Sequence, residues 1–167
     1  MSDRAVAPGG LALVEALVNT RSVDSGADRL ADEFGLGGEA LAEARELREA
    51  LRAACLAHAG QDMAPAARDT LTRLLSRAPL LVAFDEAGGA TLAPADPAPL
   101  ASRVAAAVAA AVADGTWQRL KACEADDCLW AYYDRSPAGR SRWCTMAVCG
   151  SRAKMRAYRA RRSVPPA

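Results

Sequence analysis

Histidine occurs once in this sequence of 167 residues, as His58, and aromatic residues make up only 5% of it. One imidazole cannot supply a His pair at metal-ligand spacing, and residues 1–115 hold no Gly-rich phosphate loop and no Ser/His/Asp set. An enzyme is therefore not expected. With so few aromatics the core must come largely from Leu, Val and Ala on helices, since hydrophobic residues still reach 51% and alanine is the best helix former. No run of 18 apolar residues is free of charge, which argues against a membrane-spanning helix. The N-terminal apolar run is broken by Glu15 and lacks a basic start and a cleavage site, so a cytoplasmic location is expected. In that compartment the five cysteines stay reduced and serve as ligands or buried thiols rather than disulfides.

Acidic residues are missing after Asp134, where 9 basic residues follow. The net charge of +1 hides this asymmetry. Residues 1–114 carry 10 Lys/Arg against 16 Asp/Glu, a balance of −6, and residues 115–167 carry 11 against 4, a balance of +7. Such a split points to nucleic acid or another acidic surface. A solvated tail that binds nothing is the plain alternative.

The first 115 residues have helical periodicity broken by one hairpin. Apolar residues at 11, 13, 14, 17 and 18 share a helix face. Residues 21–38, rich in Gly, Asp and Ser, suit a loop with one helical turn. The segment 38–60 is the clearest helix, with Leu41, Ala44, Leu47, Leu51, Ala54, Cys55 and His58 on one stripe and Glu/Arg opposite. Gly60 ends it. His58 fits a capping or surface role there, and Cys55 a small buried hydrophobe. Another helix starts near Pro65 and carries Leu71, Leu74 and Leu75. Residues 80–94 change period and predict a β-hairpin. An alanine-rich helix over 100–115 shows Val104, Val108 and Val112 on one face.

The chemistry lies beyond residue 115. Cys123, Cys128, Cys144 and Cys149 are spaced C-x4-C-x15-C-x4-C. Two close pairs across a longer insert suit a structural zinc site, and four thiolates leave no open position for water. Four unligated thiols or an iron–sulfur cluster are the alternatives. In the insert, "LWAYYD" predicts a strand and "RSPAGRSRWC" a turn and a returning strand. A helical run follows Cys149. Knuckle, hairpin, knuckle and helix in that order make a treble-clef arrangement, too small for a core of its own. Zinc supplies about 10–16 kcal/mol of apparent folding energy to such modules.

On the last helix, at about 100° per residue, Arg152, Arg156 and Arg159 fall within roughly a 60° arc. Lys154 and Arg161 lie opposite, with Met155 and Tyr158 placed to pack on the finger. Arg152, Lys154, Arg156 and Arg159 are the candidate nucleic-acid contacts, with Arg140 and Arg142 secondary.

The stretch from Gly115 to Arg162, with "DRS" at 134–136, "RWC" at 142–144 and "CGSRAKMRAYR" at 149–159, resembles the CGNR-type zinc finger of bacterial transcription regulators. Ser151 stands where the namesake motif has Asn, and a serine can cap a helix start. Upstream, "ALVNTR" at 16–21 and "ARELREALR" at 44–52 resemble the ABATE domain that precedes such fingers. The resemblance implies a mostly α protein with a small β-hairpin: an ABATE-like helical domain over 1–115, a treble-clef-like finger over 116–162 and a tail over 163–167. It further implies Zn2+, DNA binding, transcription regulation in stress response and a small-molecule effector. Asn19 and Thr20 either face that effector or form a helix cap and turn. Specific recognition by a single finger would call for a homodimer. An RNA-binding or protein-interaction module is the alternative function. A boundary near 115 predicts that a chelator unfolds 115–162 and spares the helices.

Overall fold

A computed structural model describes residues 5–162; the tail 163–167 lies outside that range. Helices α1 (Leu11–Asn19), α2 (Leu30–Phe34), α3 (Gly38–Ala59) and α4 (Pro65–Leu75) come first. Strands β1 (Leu80–Phe84) and β2 (Ala90–Pro94) form an antiparallel hairpin, followed by α5 (Leu100–Ala113). Strands β3 (Leu120–Ala122) and β4 (Ala131–Tyr133) form a second hairpin, and α6 (Ser151–Arg162) closes the described chain. The fold is mostly α, with two small hairpins and a treble-clef-like finger. No helix among the described residues is long and apolar enough to cross a membrane.

Helix α3 is the axis. Gly60, at φ 113, terminates it in the left-handed region that glycine enters without strain. Its apolar stripe faces α1, α4 and α5, and Leu51 and Cys55 are fully buried. Arg48 and Arg52 are buried as well, at 1% and 4% exposure, where the sequence pattern placed Arg on the solvent side. The helix is covered on two sides, by helices and by the finger, so its charged flank faces protein.

Helix α5 turns its small residues inward. Val104, Ala107 and Ala111 are buried, whereas Val112 is 59% exposed, so the valine stripe is only partly the inner face. Alanine permits close approach: a Cβ on Gly10 would stand 2.8 Å from Ala107 Cβ.

The β3–β4 hairpin sits between helices and finger. Leu120, Ala122, Ala131 and Tyr133 belong to the same buried cluster as Val14, Leu51 and Val104. Lys121 and Tyr132 point to the other side, as the two-residue period of a strand requires. The chain thus holds two sequence units around one main core, with a smaller cluster beneath the cysteines. The returning strand expected within 135–144 is absent. β4 pairs instead with β3, which precedes the first knuckle. Residues 135–144 return as a loop around Asp134, a route suited to Pro137 and Gly139 (φ 59).

Candidate metal centre and basic helix

The β3–β4 ladder continues into the first knuckle, where Cys123 N donates to Trp130 O at 2.9 Å. A tight turn then brings Cys128 back, with Cys128 N and Leu129 N both donating to Ala125 O. Leu129 takes a left-handed φ of 52 to complete it. In the second knuckle one wide turn spans Met146–Gly150, closed by Gly150 N donating to Thr145 O at 3.0 Å. This turn runs directly into α6.

The two knuckles bring the four sulfurs within 4.8 Å of one another. The Cys128–Cys144 and Cys144–Cys149 sulfur pairs are each 3.6 Å apart. A tetrahedron with Zn–S bonds of about 2.3 Å has edges of about 3.8 Å, so the donors fit zinc. Cys123, Cys144 and Cys149 are buried, and Cys128 is half-buried.

Protonation favours the same assignment. Sulfur hydrogen bonds with Cys128 and Cys144 draw the Cys123 thiol down to about 2. The bond to Cys123 pushes Cys128 up to about 12, and Cys144 rises for the same reason. Cys123, Cys128 and Cys144 this close resist joint ionisation, and a divalent cation between them removes the conflict. Zinc, when bound, cross-links the two knuckles.

Asp134 is the organiser that sequence reasoning named only as part of a motif. It is fully buried and accepts from Ser136 N, Ser141 N and Ser141 Oγ at 2.8–3.0 Å. Lys121 Nζ lies 3.1 Å from Oδ2. Burial raises its carboxyl, but the serine hydrogen bonds outweigh that and hold it well below the usual range. Lys121 also donates to Gly139 O, and Arg119 donates to Asp134 O and Ser136 O.

Four side chains fasten the finger region to the helices through backbone groups. Asn19 donates from Nδ2 to Ala131 O at 2.9 Å, and its Oδ1 accepts from Ala131 N at 2.7 Å. Arg52 donates to Leu129 O at 2.7 Å and Val18 O at 2.8 Å. His58 Nδ1 bonds Leu120 O at 2.7 Å, with its ring edge-on to Trp117. Arg135 donates to Ala5 O and Val6 O. His58 is thus a half-buried bridge, not a cap or a surface residue. Thr20 is fully buried, donates to Leu17 O and accepts from Arg48, which also grips Asp28 through two bonds. Thr20 is the C-terminal cap of α1, with its N–H and its hydroxyl both on Leu17 O, and Asn19 spends its amide on Ala131.

Ser151 does not cap α6. Its hydroxyl donates to Met146 O at 3.0 Å, inside the wide turn. Gly150 has a steric reason: a Cβ there would meet Met146 Sδ at 2.8 Å and Trp143 at 3.2 Å.

No residue of α6 is buried, and Met155 and Tyr158 are 50% and 46% exposed, so they do not pack on the finger. Arg152 pairs with Asp127 at 2.9 Å and donates to Cys149 Sγ at 3.4 Å; Arg156 lies 3.9 Å from Asp127. Arg142 donates from both Nε and Nη2 to the Glu124 carboxylate. Lys154, Arg159 and Arg140 are exposed, with no ion-pair or hydrogen-bond partner among the described residues.

A cleft of about 900 Å³ opens between α1, residues 22–33 and the knuckles. Glu15, Asn19, Trp130 and Arg152 line it, with Cys128 and Cys149 in its wall.

Residues 119–162 match the CGNR zinc finger family. Residues 11–115 match the ABATE family, described as "Putative stress-induced transcription regulator". No curated protein matches the chain. Neither matched family is catalytic, and the match over 11–115 spans more than half of the sequence. Helical core, four-cysteine centre and basic helix therefore make one zinc-finger regulatory protein, and the chain belongs to the ABATE family with a CGNR zinc finger at its C-terminal side.

Proposed function

We propose that this regulator binds DNA through α6. The observation that carries the reading is a helix exposed on every side, with basic residues at 152, 154, 156, 159, 161 and 162 and no acidic residue, anchored at its start by Cys149. Lys154, Arg156 and Arg159 form the leading contact set, with Arg140, exposed on the finger, as a secondary contact. Arg152 and Arg142 must first exchange their carboxylate partners for phosphates, and Arg156 its longer contact with Asp127. Reading of bases is not assigned to any of them. A location in the cytoplasm fits, since thiolate ligands need a reducing compartment.

Binding of zinc-loaded protein to random duplex, followed against salt, tests this. Engagement of about four to six phosphates predicts that log K falls with log salt at about −0.9 per phosphate. An affinity indifferent to salt would favour the protein-interaction reading, and tighter binding to single-stranded RNA the RNA reading.

The cleft between α1 and the knuckles is the place for a small-molecule effector, because a molecule there touches the helical domain and the base of α6 together. Ala16→Trp, which fills the cleft from α1, is expected to abolish effector response and leave basal DNA affinity intact. Unchanged response would move the effector elsewhere.

A further inference from the structure

The β1–β2 hairpin has no role in the metal centre or in the basic helix, yet it gathers several of the large apolar side chains exposed among the described residues. Leu81, Val82, Phe84 and Leu92 are 58%, 60%, 73% and 46% exposed. The strand sequences LLVAF and ATLAP contain no charge. Strand edges are normally protected by charged residues, proline or a covering element, because an open edge is a template for another strand.

The two edges of this hairpin are not equal. Asp85 N donates to Gly89 O, and Ala95 N donates to Pro79 O. Hydrogen-bonded pairs alternate along an antiparallel ladder. In the observed register, Leu81 and Ala83 therefore bond Ala93 and Thr91, and the N–H and C=O groups of Leu80, Val82 and Phe84 face outward. On the other strand the outward set is Ala90, Leu92 and Pro94, and proline has no N–H. Helix α5 lies chiefly along β2. The edge of β1 is the complete and open one.

We propose that the β1 edge pairs with β1 of a second copy of this chain, giving a four-stranded antiparallel sheet across a two-fold axis. The edge is complementary to itself. Centred on Val82, the pairing places Val82 opposite its own equivalent and Leu80 opposite Phe84, and it satisfies every outward group of the three residues. The same register carries Asp85 and Glu86 of one copy toward the segment of the other that holds Arg77, which is 68% exposed and makes only a long, exposed pair with Glu43 of its own chain, 3.6 Å apart. Opposite charges thus flank an uncharged centre. The contact is isologous and closes at two copies, because the β2 edges left outside are interrupted by Pro94. One strand and a few side chains cover less than the ~800 Å² per partner of a standard interface, so the dimer is reversible. This inference does not depend on what α6 binds.

Sedimentation equilibrium of the zinc-loaded full chain across the micromolar range tests it. The wild-type chain is expected to pass from monomer to dimer. Val82→Pro removes an outward N–H without touching a bond to β2, and Val82→Lys puts a charge at the centre. Each is expected to weaken dimerisation at least about tenfold while far-UV circular dichroism is retained. Arg77→Glu and Glu86→Arg are each expected to weaken the dimer, and the double variant to restore it. A chain that stays monomeric throughout, or a dimer indifferent to both Val82 variants, overturns the proposal.

Discussion

Arg52 stands where three segments meet. Its guanidinium holds Leu129 O beside the first knuckle and Val18 O at the end of α1, and Glu49 lies 3.1 Å from its Nε. Arg52→Met keeps the stem and removes the donors. Each carbonyl left buried without a donor costs about 1–3 kcal/mol, so urea unfolding should show a loss of several kcal/mol. Zinc transfer to a chromophoric chelator should also speed up, because Leu129 adjoins Cys128. A slower or unchanged transfer rate would confine Arg52 to the helices. Asn19 offers a sharper test, since it is both donor and acceptor to Ala131. Asn19→Asp is expected to destabilise at least as much as Asn19→Ala, because a carboxylate would face Ala131 O with no hydrogen to offer. His58 gives a pH signature. Burial lowers its pKa below 6.5, aided by Lys121 and opposed by the bond to Leu120 O. The unfolded chain takes up the proton first, so stability should fall as pH drops below 6.5 and level off below the folded value. His58→Gln should flatten that slope in urea titrations; an unchanged slope would assign it to the thiolates. These roles were not legible in the sequence. An Arg among Glu residues on a helix looks solvated until the fold puts a second layer over it.

At the scale of elements, periodicity served well where one face is buried. The helices of the first unit follow from spacing, Pro65 and Gly60, whereas the largely exposed 80–94 hairpin follows from its β-type residues and Gly-containing turn. Periodicity failed where two features compete. α3 is covered on two sides, which no single stripe can announce. β4 was recognisable from its β-type residues, but its partner lies before Cys123, and a three-residue strand carries little pattern. The wide turn at Met146–Gly150 was invisible as well, since it depends on Gly150 N reaching Thr145 O. That turn yields a prediction. Gly150→Ala pushes a methyl into Met146 Sδ and Trp143, so it should loosen zinc, read as faster metal transfer to a chelator. Met146 is flexible and 54% exposed, so Met146→Ala in the same chain should restore much of the wild-type rate. Failure of that rescue would place the clash on Trp143 instead.

At the scale of the whole molecule, the decisive fact is where the second hairpin sits. Leu120 and Ala131 are fully buried among the helices, and Tyr133 nearly so. Burying a side chain of leucine size contributes about 1.5–3 kcal/mol, so this hairpin is a sizeable part of the helical core. Its two strands are also the arms that carry Cys123 and Cys128. A ligand that binds only the folded state stabilises everything that folds with it. Zinc should therefore raise the stability of α1, α3 and α5, although none of them touches the metal. The expected result is one transition: in urea, far-UV circular dichroism, which follows the helices, and tryptophan fluorescence, which includes Trp130 and Trp143 near the cysteines, should share a midpoint. A chelator should move both midpoints down together. The boundary near 115, taken alone, predicts the opposite, a helical midpoint that stays in place while the finger signal disappears. That outcome would mean that Asn19, Arg52 and His58 hold two independent bodies in contact and do not join them into one cooperative unit.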